Sequence, residues 1–401
     1  MVKDRNIIVF GIQNWDISSI SRDTALEMAK RNRVIYVNPP VHRISTILHR
    51  NAPDIRNKID IRKGVKPDLI QINESMWVFY PRTIIESINW IKIPAVFDFF
   101  NKINDKRFAR EVKRVAKMVG FDNFILFNDT SMLTGFYLKE LLKPEVYIYL
   151  LRDAVIEVSY HKRHGTRLQP LLIKKVDFAV TNSDWFEEYA RQSNPKSFFI
   201  GSGCNLDRFN DKDGTLKIPE DIANIKKPII GYLGYLTSLR LDIDVLVHIA
   251  EQKPEWSLVL VGPEDDAFKA SKLHKLDNVH FLGRKDPEIT PGYIKGFDVA
   301  LNPQILNDIT DVNYPLKIDE YLAMGVATVA TKTSFMDFYF KENTYLPVTK
   351  EDYVIEIDKA LKEDTPELRI ERIACATEHS WENFVDKIYD QIEIIENKKE
   401  P

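Results

Sequence analysis

A short apolar strand followed by a polar segment with helical spacing, repeated almost without pause, limits this chain more than any other feature of its 401 residues. RNIIVFGI leads into TALEMAKR and then RVIYVNPP. FILFND, VYIYLLRD, DFAVTNS and SFFIGSG follow, and past residue 226 the series restarts as PIIGYLG, SLVLVGP, VHFLG, DVALNP and TVATKT. Strands that alternate with helices build parallel sheets covered on both faces, so the strands read as near-continuous apolar runs. Between the two series lies DRFNDKDGTLKIPEDIANIKK, polar and poorly periodic. The expected architecture is α/β, with two doubly wound, Rossmann-like domains at 1–206 and 228–380 and a linker at 207–227. A closing amphipathic helix, 381–401, carries Trp381, Phe384, Ile388 and Ile392 at helical spacing and can pack back on the N-terminal domain. In such sheets ligands bind at the carboxyl ends of the strands.

Apolar residues at 44% and charged residues at 29% are ordinary for a soluble globular chain. The formal charge of −3 hides an asymmetry: residues 1–200 hold 32 Lys and Arg against 22 Asp and Glu, and the remainder 24 against 37. A basic half and an acidic half suggest different partners. Cys204 and Cys375 supply neither a disulfide framework nor a metal spacing. No run approaches 18 uninterrupted apolar residues, and the first residues start a strand rather than a secretory leader. A cytoplasmic protein is expected, with the inner face of the membrane as a further place for it. The segment 101–120 places Lys102, Lys106, Arg107, Arg110, Lys113, Arg114 and Lys117 around a stripe of Ile103, Phe108, Val112, Val115 and Val119. It reads either as a basic helix lying on an anionic membrane or as a helix packed on the sheet with a solvated basic face. No nucleic-acid-binding module is recognisable.

The chemistry-bearing residues gather at the strand ends. In YPLKIDEYLAMGVATVAT, 314–331, Leu316, Ile318, Tyr321, Leu322 and Met324 are explained by packing, but Lys317 and Glu320 are not. Three apart, they share a face near a helix N-terminus, where free N–H groups favour an anion. Gly234 and Tyr235, with Arg240 six residues past the glycine, close the first strand of the second series. Gly262 and Pro263, Gly283 and Arg284, and Asn302 close the next three. A glycine there lets the backbone approach a phosphate and an arginine neutralises it, although a plain strand-to-helix turn has the same look. In the first series the matching ends are GIQNWD (Gly11, Asn14, Asp16), FNDTS (Asn128, Asp129) and LLRDA (Arg152, Asp153), where each Asp also fits a helix cap. HKRHG at 161–165 is either surface or the wall of a groove. The acidic run EDD at 264–266 reads as a solvated loop, and no metal cluster emerges.

In this order, GYLGYL, SLVLVGP, NVHFLGR, FDVALNP and YPLKIDEYLAMGVATVAT resemble the nucleotide-binding domain of the group 1 glycosyltransferases, mostly retaining enzymes of the GT-B fold. The segment AVTNSDWFEEYARQ…FFIGSGCNLDRFN is similar to that family's passage from strand to linker, and the N-terminal stretch looks like its polysaccharide-assembly branch. The resemblance implies two domains facing a central cleft and a nucleotide-diphosphate sugar as donor. It also implies a glycan or lipid-linked acceptor, with neither metal nor cofactor. By the same resemblance Glu320 accepts hydrogen bonds from ribose hydroxyls. Pro315, Leu316 and Lys317 cradle the diphosphate, and Lys317 and Arg240 neutralise it as it leaves. Asp153 matches a residue near the reacting sugar. The family often has a second glutamate eight residues before this one; here Val312 stands there, with Asp311 beside it and Asp308 nearby. Two other readings share the fold: a sugar-nucleotide 2-epimerase and a non-catalytic nucleotide-sugar-binding subunit.

Overall fold

The computed structural model describes residues 2–157, 159–307 and 310–397. The chain divides into two units, Met1–Gly201 with Trp381–Pro401, and Ser202–Ser380. In the first unit the strands are β1 (Asn6–Phe10), β2 (Arg33–Val37), β3 (Val41–His42), β4 (Leu69–Asn73), β5 (Met76–Phe79), β6 (Ile84–Ile85), β7 (Ile125–Asp129), β8 (Val146–Leu151), β9 (Phe178–Thr181) and β10 (Ser197–Phe199). Eight of them form one sheet in the order β10-β9-β8-β7-β1-β2-β5-β4, while β3 pairs with β6 alone. The order reverses between β1 and β7, which makes their carboxyl ends the place where a crevice opens. The second unit carries β11 (Ile229–Leu233), β12 (Ser257–Val261), β13 (Val279–Phe281), β14 (Val299–Asn302) and β15 (Ala327–Ala330). They run in the order β13-β12-β11-β14-β15, every pair parallel, and here the reversal falls between β11 and β14.

The apolar runs become strands because both faces of each sheet are covered. Ile7, Val9, Phe127, Ile148 and Val180 share one core with Trp381, Phe384, Ile388 and Ile392. The last four lie on the helix Trp381–Asn397, which belongs to the first unit. Each fully buried Ile or Phe in such a layer contributes about 1.5–3 kcal/mol. At the other end of the first sheet, β4 and β5 form an antiparallel hairpin. The strand series in the sequence passes over it, because LIQIN has an exposed outer face and lacks the continuous apolar signal.

Two expectations change. The unit boundary lies at Gly201, and 207–227 packs on the second unit rather than spanning as a free linker. Phe209 and Ile222 are buried. Asp211 pairs with Lys295 at 2.5 Å, and Lys295 also donates to the Leu216 carbonyl at 2.8 Å. Both bonds reach the helix Thr290–Gly296. The segment is polar because ion pairs and backbone bonds hold it, not because it is loose. The second change concerns 101–120, which lies within the helix Pro94–Val119. Its stripe of Phe108, Val112 and Val115 is buried in the unit, whereas Val96, Phe99, Phe100 and Met118 of the same helix stay exposed. What it presents to water is the basic face, part of it already paired: Arg114 with Asp68 at 2.5 Å and Arg107 with Glu86 at 3.3 Å.

Candidate functional site

In the second unit the residues at the strand ends meet around the helix Lys317–Ala323. Tyr321, fully buried on that helix, accepts a bond from the Leu233 N–H at the end of β11 at 3.1 Å. This anchor brings the first turn of the helix across the glycine turn. A Cβ on Gly234 (φ 148°) would lie 2.3 Å from Lys317 Cε and 2.7 Å from its Nζ, so the lysine occupies the space that the missing side chain leaves. The ammonium also stands 5.6 Å above the Tyr232 ring. Gly262 (φ 153°) is closer still: its Cβ would meet the Gly234 carbonyl oxygen at 1.7 Å. The turns after β11 and β12 are thus in backbone contact, with bonds from Gly234 N–H to Val261 O (2.8 Å) and from Leu236 N–H to Pro263 O (2.9 Å). Asp265 accepts from both N–H and Oγ of Ser238, at 2.7 and 2.9 Å, and joins the same loops further out. Its carboxyl, taking the Phe268 N–H as well, is held down at about 2.

Glu320 lies one turn in and is partly exposed. Burial raises its pKa, while the charges of Lys317 and Arg208 pull it back. Arg208 donates to Thr290 Oγ1 at 3.0 Å and packs on the Phe209 ring. Its Nε is buried without a hydrogen-bond partner. Beside Glu320, Asp319 points the other way and is sealed in. It accepts from Tyr314 Oη at 2.6 Å and is 2.7 Å from His379 Nδ1. Burial pushes this carboxyl up, against the pull of His379 and Tyr314. The His379 ring stacks on Tyr339, 4.8 Å between centroids. One carboxylate of the Asp-Glu pair is therefore bound to the core, and the other is left to face a ligand.

The remaining candidates of this unit divide. Asn302 ends β14 and is buried, its carbonyl holding the Gln304 and Thr331 N–H groups at 3.0 and 3.2 Å. Arg240 is exposed, and its carbonyl takes the Ile305 N–H at 2.8 Å, which ties the turn after β11 to the loop after β14. Tyr235 is exposed on the same turn. Gly283 (φ 67°) and Arg284 follow β13, the edge strand, two places from β11. Pro315 and Leu316 precede the helix, which has no side-chain cap. Asn313, just before them, has a buried Oδ1 without a partner. Asp311 is committed to Ser334, accepting from its N–H and Oγ at 2.7 Å each. Asp308 lies outside the described residues.

In the first unit, Gly11 and Asn128 line one cavity of about 400 Å³ at the ends of β1, β2 and β7. The other acceptor-side candidates do not line it. A Cβ on Gly11 would fall 1.9 Å from Tyr36 Oη, so this glycine makes room for a tyrosine. Asn128 is spent on its own turn: its amide donates to Ser131 O (3.0 Å) and Tyr147 Oη (2.8 Å), and its Oδ1 takes the Ser131 N–H. Asp129 is fully buried and bound by Arg152, Nε at 2.8 Å and Nη2 at 3.2 Å. Arg152 bonds Asp153 as well. This buried ion pair holds the ends of β7 and β8 together, and Asp129, with no exposed surface, is closed to a sugar. Asn14 keeps a buried Oδ1 without a partner. Asp16 is exposed, 3.4 Å from Tyr80 Oη. His161 stands in the cavity wall, whereas His164 is buried and stacked on Phe97 at 3.7 Å.

Comparison with known proteins bears on this arrangement. The model of the family described as "Glycosyl transferases group 1" matches residues 227–363, the stretch that contains the glycine turns, Lys317 and Glu320. Residues 227–363 are a group 1 glycosyltransferase domain. Over 107 residues the chain is 32% identical to TuaH of Bacillus subtilis (strain 168), described as a teichuronic acid biosynthesis glycosyltransferase. That match spans about a quarter of each protein, 26% of this chain and 26% of TuaH. Among solved structures the chain is similar to sucrose-phosphate synthase of Thermosynechococcus elongatus, with TM-score 0.66 and 17% identity over 98% of this chain and 100% of that one. It is also similar to Anabaena HepE in complex with UDP and glucose, with TM-score 0.64 and 14% identity over 97% and 99%. At these identities the likeness establishes the fold, which is GT-B.

Within the second unit, reading the sequence missed two things. Arg208 was hidden in the segment taken for a linker, though GCNLDRF is the motif that could have pointed to it. The Asp319–His379 pair joins residues 60 apart in sequence and left no local signal. Among the described residues, no three or more His, Cys, Asp or Glu side chains gather as a metal site, and no helix is long and apolar enough to cross a membrane.

Proposed function

We infer that the protein transfers a sugar from a nucleotide-diphosphate donor to a glycan or lipid-linked acceptor, with retention at the anomeric carbon. The observation that carries this reading is the placement of Lys317 over the Gly234 turn with Glu320 one turn along, at the point where strand order reverses. The two glycines let the turns after β11 and β12 pack against each other and against Lys317, which holds the lysine beside the helix start, and Lys317 supplies the charge that stabilises a diphosphate as it departs. Glu320, whose pKa is raised by burial against the pull of Lys317 and Arg208, accepts from two ribose hydroxyls. Arg240 and Arg284, exposed on the flanking turns, add positive potential. The diphosphate itself takes the acceptor proton, so the reaction asks for positioning and charge stabilisation rather than a carboxylate pair or a bound metal. HepE, of the same fold, is seen with UDP and glucose, and TuaH is named for teichuronic acid biosynthesis. Asp153, exposed beside Arg152, serves on the acceptor side. The helix Pro94–Val119 offers an anionic membrane its basic face together with the exposed Phe99 and Phe100 near its start.

A thermal-shift screen against UDP, GDP, ADP and CMP and their sugars, repeated with Glu320→Ala, tests the reading. A ligand at 100 times its Kd adds about 2.7 kcal/mol of stability. One nucleoside diphosphate should stabilise the wild type, with affinity roughly ten- to a hundredfold weaker in the variant, the loss expected for hydrogen bonds to a charged group. Equal stabilisation of both proteins would remove Glu320 from the site. Stabilisation by none would remove the donor.

A further inference from the structure

The cavity of the first unit has an unusual wall for a sugar site. It occupies about 400 Å³ where β1 and β7 diverge, and among the described residues none that lines it is Asp, Glu, Lys or Arg, although this half of the chain is strongly basic. Phe10, Ile12, Val37, Phe108, Met132 and Leu133 supply much of the surface. Most of the polar side chains in it are already committed. Asn38 accepts the Trp15 N–H at 2.7 Å and donates to Phe79 O at 2.9 Å. Asn128 is saturated by its turn. Ser131 and Thr134 bond each other at 2.6 Å, and Thr130 Oγ1 bonds Asp129 and Leu150 O. The remaining polar lining is Ser45, Tyr160, His42 and His161, and the two histidines each keep a buried Nδ1 without a partner. Burial lowers the pKa of both, so both imidazoles are neutral near pH 7. A pyranose bound here would strand most of its hydroxyls against carbon, each without the bonds it makes in water. A carboxylate or phosphate would find no counter-charge among the described residues of the wall.

We propose that this cavity binds an uncharged hydrocarbon group carried by the acceptor, with His42 and His161 as the hydrogen-bonding partners of the oxygen that joins it to the polar part. The assignment deepens the transferase reading and rests on it for the word acceptor, but the binding itself needs no donor. It differs from the expectation that polar strand ends such as Asn128 and Asp129 hold a sugar directly. Those side chains hold the loops instead, and the apolar residues between them make the site.

The test is a titration of the full chain with alkyl β-glucosides of six to twelve carbons, below their micellar concentrations, followed by calorimetry alongside glucose and glucuronic acid. Affinity should rise about fourfold per methylene, the transfer value for a buried CH₂, and level off once the chain outgrows the cavity. Leu133→Trp, which fills the cavity, should abolish the rise. Ile44→Asp places a charge at a rim position that is 48% exposed, where folding is not at stake, and should weaken every member of the series at least tenfold. A nucleotide titration on the same samples reports the second unit separately, so failure of the donor reading and failure of this one are told apart. Affinity independent of chain length would overturn the proposal, as would tighter binding of the free sugars. An unchanged rise in both variants, which marks adsorption elsewhere on the surface, would overturn it too.

Discussion

Asp319 and Glu320 show how far apart two neighbouring carboxylates can be in role. A helix turns about 100° per residue, so one side chain enters the core while the next stays at the rim. Asp319 bonds Tyr314 and His379, and Glu320 is left with only the fields of Lys317 and Arg208. A different buried acid, Asp105 on the helix Pro94–Val119, gives a sharper pH prediction. Its Oδ2 takes the Tyr137 N–H at 3.0 Å, its Oδ1 has no partner, and burial pushes its pKa up to about 8. An unfolded Asp titrates near pH 3.9, roughly, so between there and about 8 the folded chain holds a proton that the unfolded chain has released. Stability therefore falls as pH rises through that window and flattens above it. Asp105→Asn should remove this slope and gain on the order of a few kcal/mol over the wild type at pH 8 relative to pH 4, read from urea unfolding at each pH. Parallel curves for the two proteins would show that the carboxyl is not held neutral.

At the scale of elements, the donor end is two tight turns pressed against one short helix. Gly262 is the tighter position, because the atom its Cβ would meet is backbone, at 1.7 Å. Gly234 would meet the end of a lysine, which can move. Gly262→Ala should therefore lower the melting temperature and abolish nucleotide stabilisation, while Gly234→Ala should lose binding with a smaller effect on the fold. Differential scanning fluorimetry with and without the nucleotide separates the two; equal melting temperatures would mean that the turns are not locked together. The helix Trp381–Asn397 is the other decisive element. Ile388 on its inner face is fully buried, and Ile388→Ala should cost about 2–5 kcal/mol by chemical denaturation. A cost below 1 kcal/mol, roughly a surface value, would show that the helix does not cover the sheet.

For the whole molecule the order of the chain matters. The second unit, Ser202–Ser380, interrupts the first, whose sheet is finished only when Trp381–Asn397 arrives. A chain ended after Ser380 would expose one face of the eight-stranded sheet, including Ile7, Val9 and Phe127. It should lose hydrogen-exchange protection in β1, β7 and β8 while β11, β12 and β14 stay protected. Uniform loss, or none, would contradict the division into two units.

The alternation of apolar strands and polar helices was enough by itself for two doubly wound sheets, parallel except for the β4–β5 hairpin. It also placed Gly234 and Gly262 at strand ends and Lys317 and Glu320 at the start of a helix, because these are local signals: a period, a turn residue, a helix start. Which of those residues are free to meet a ligand was decided only by tertiary structure. Asn128 and Asp129 look like binding residues in FNDTS and are consumed by a turn and by Arg152. The polar 207–227 segment looks like a linker and is pinned by Lys295. The apolar stripe of 101–120 fits a membrane as well as a sheet and is used by the sheet. A hydrogen-bonding group or an apolar face has a fixed capacity, and sequence records that the capacity exists. Only the packing of residues distant along the chain determines what has already filled it.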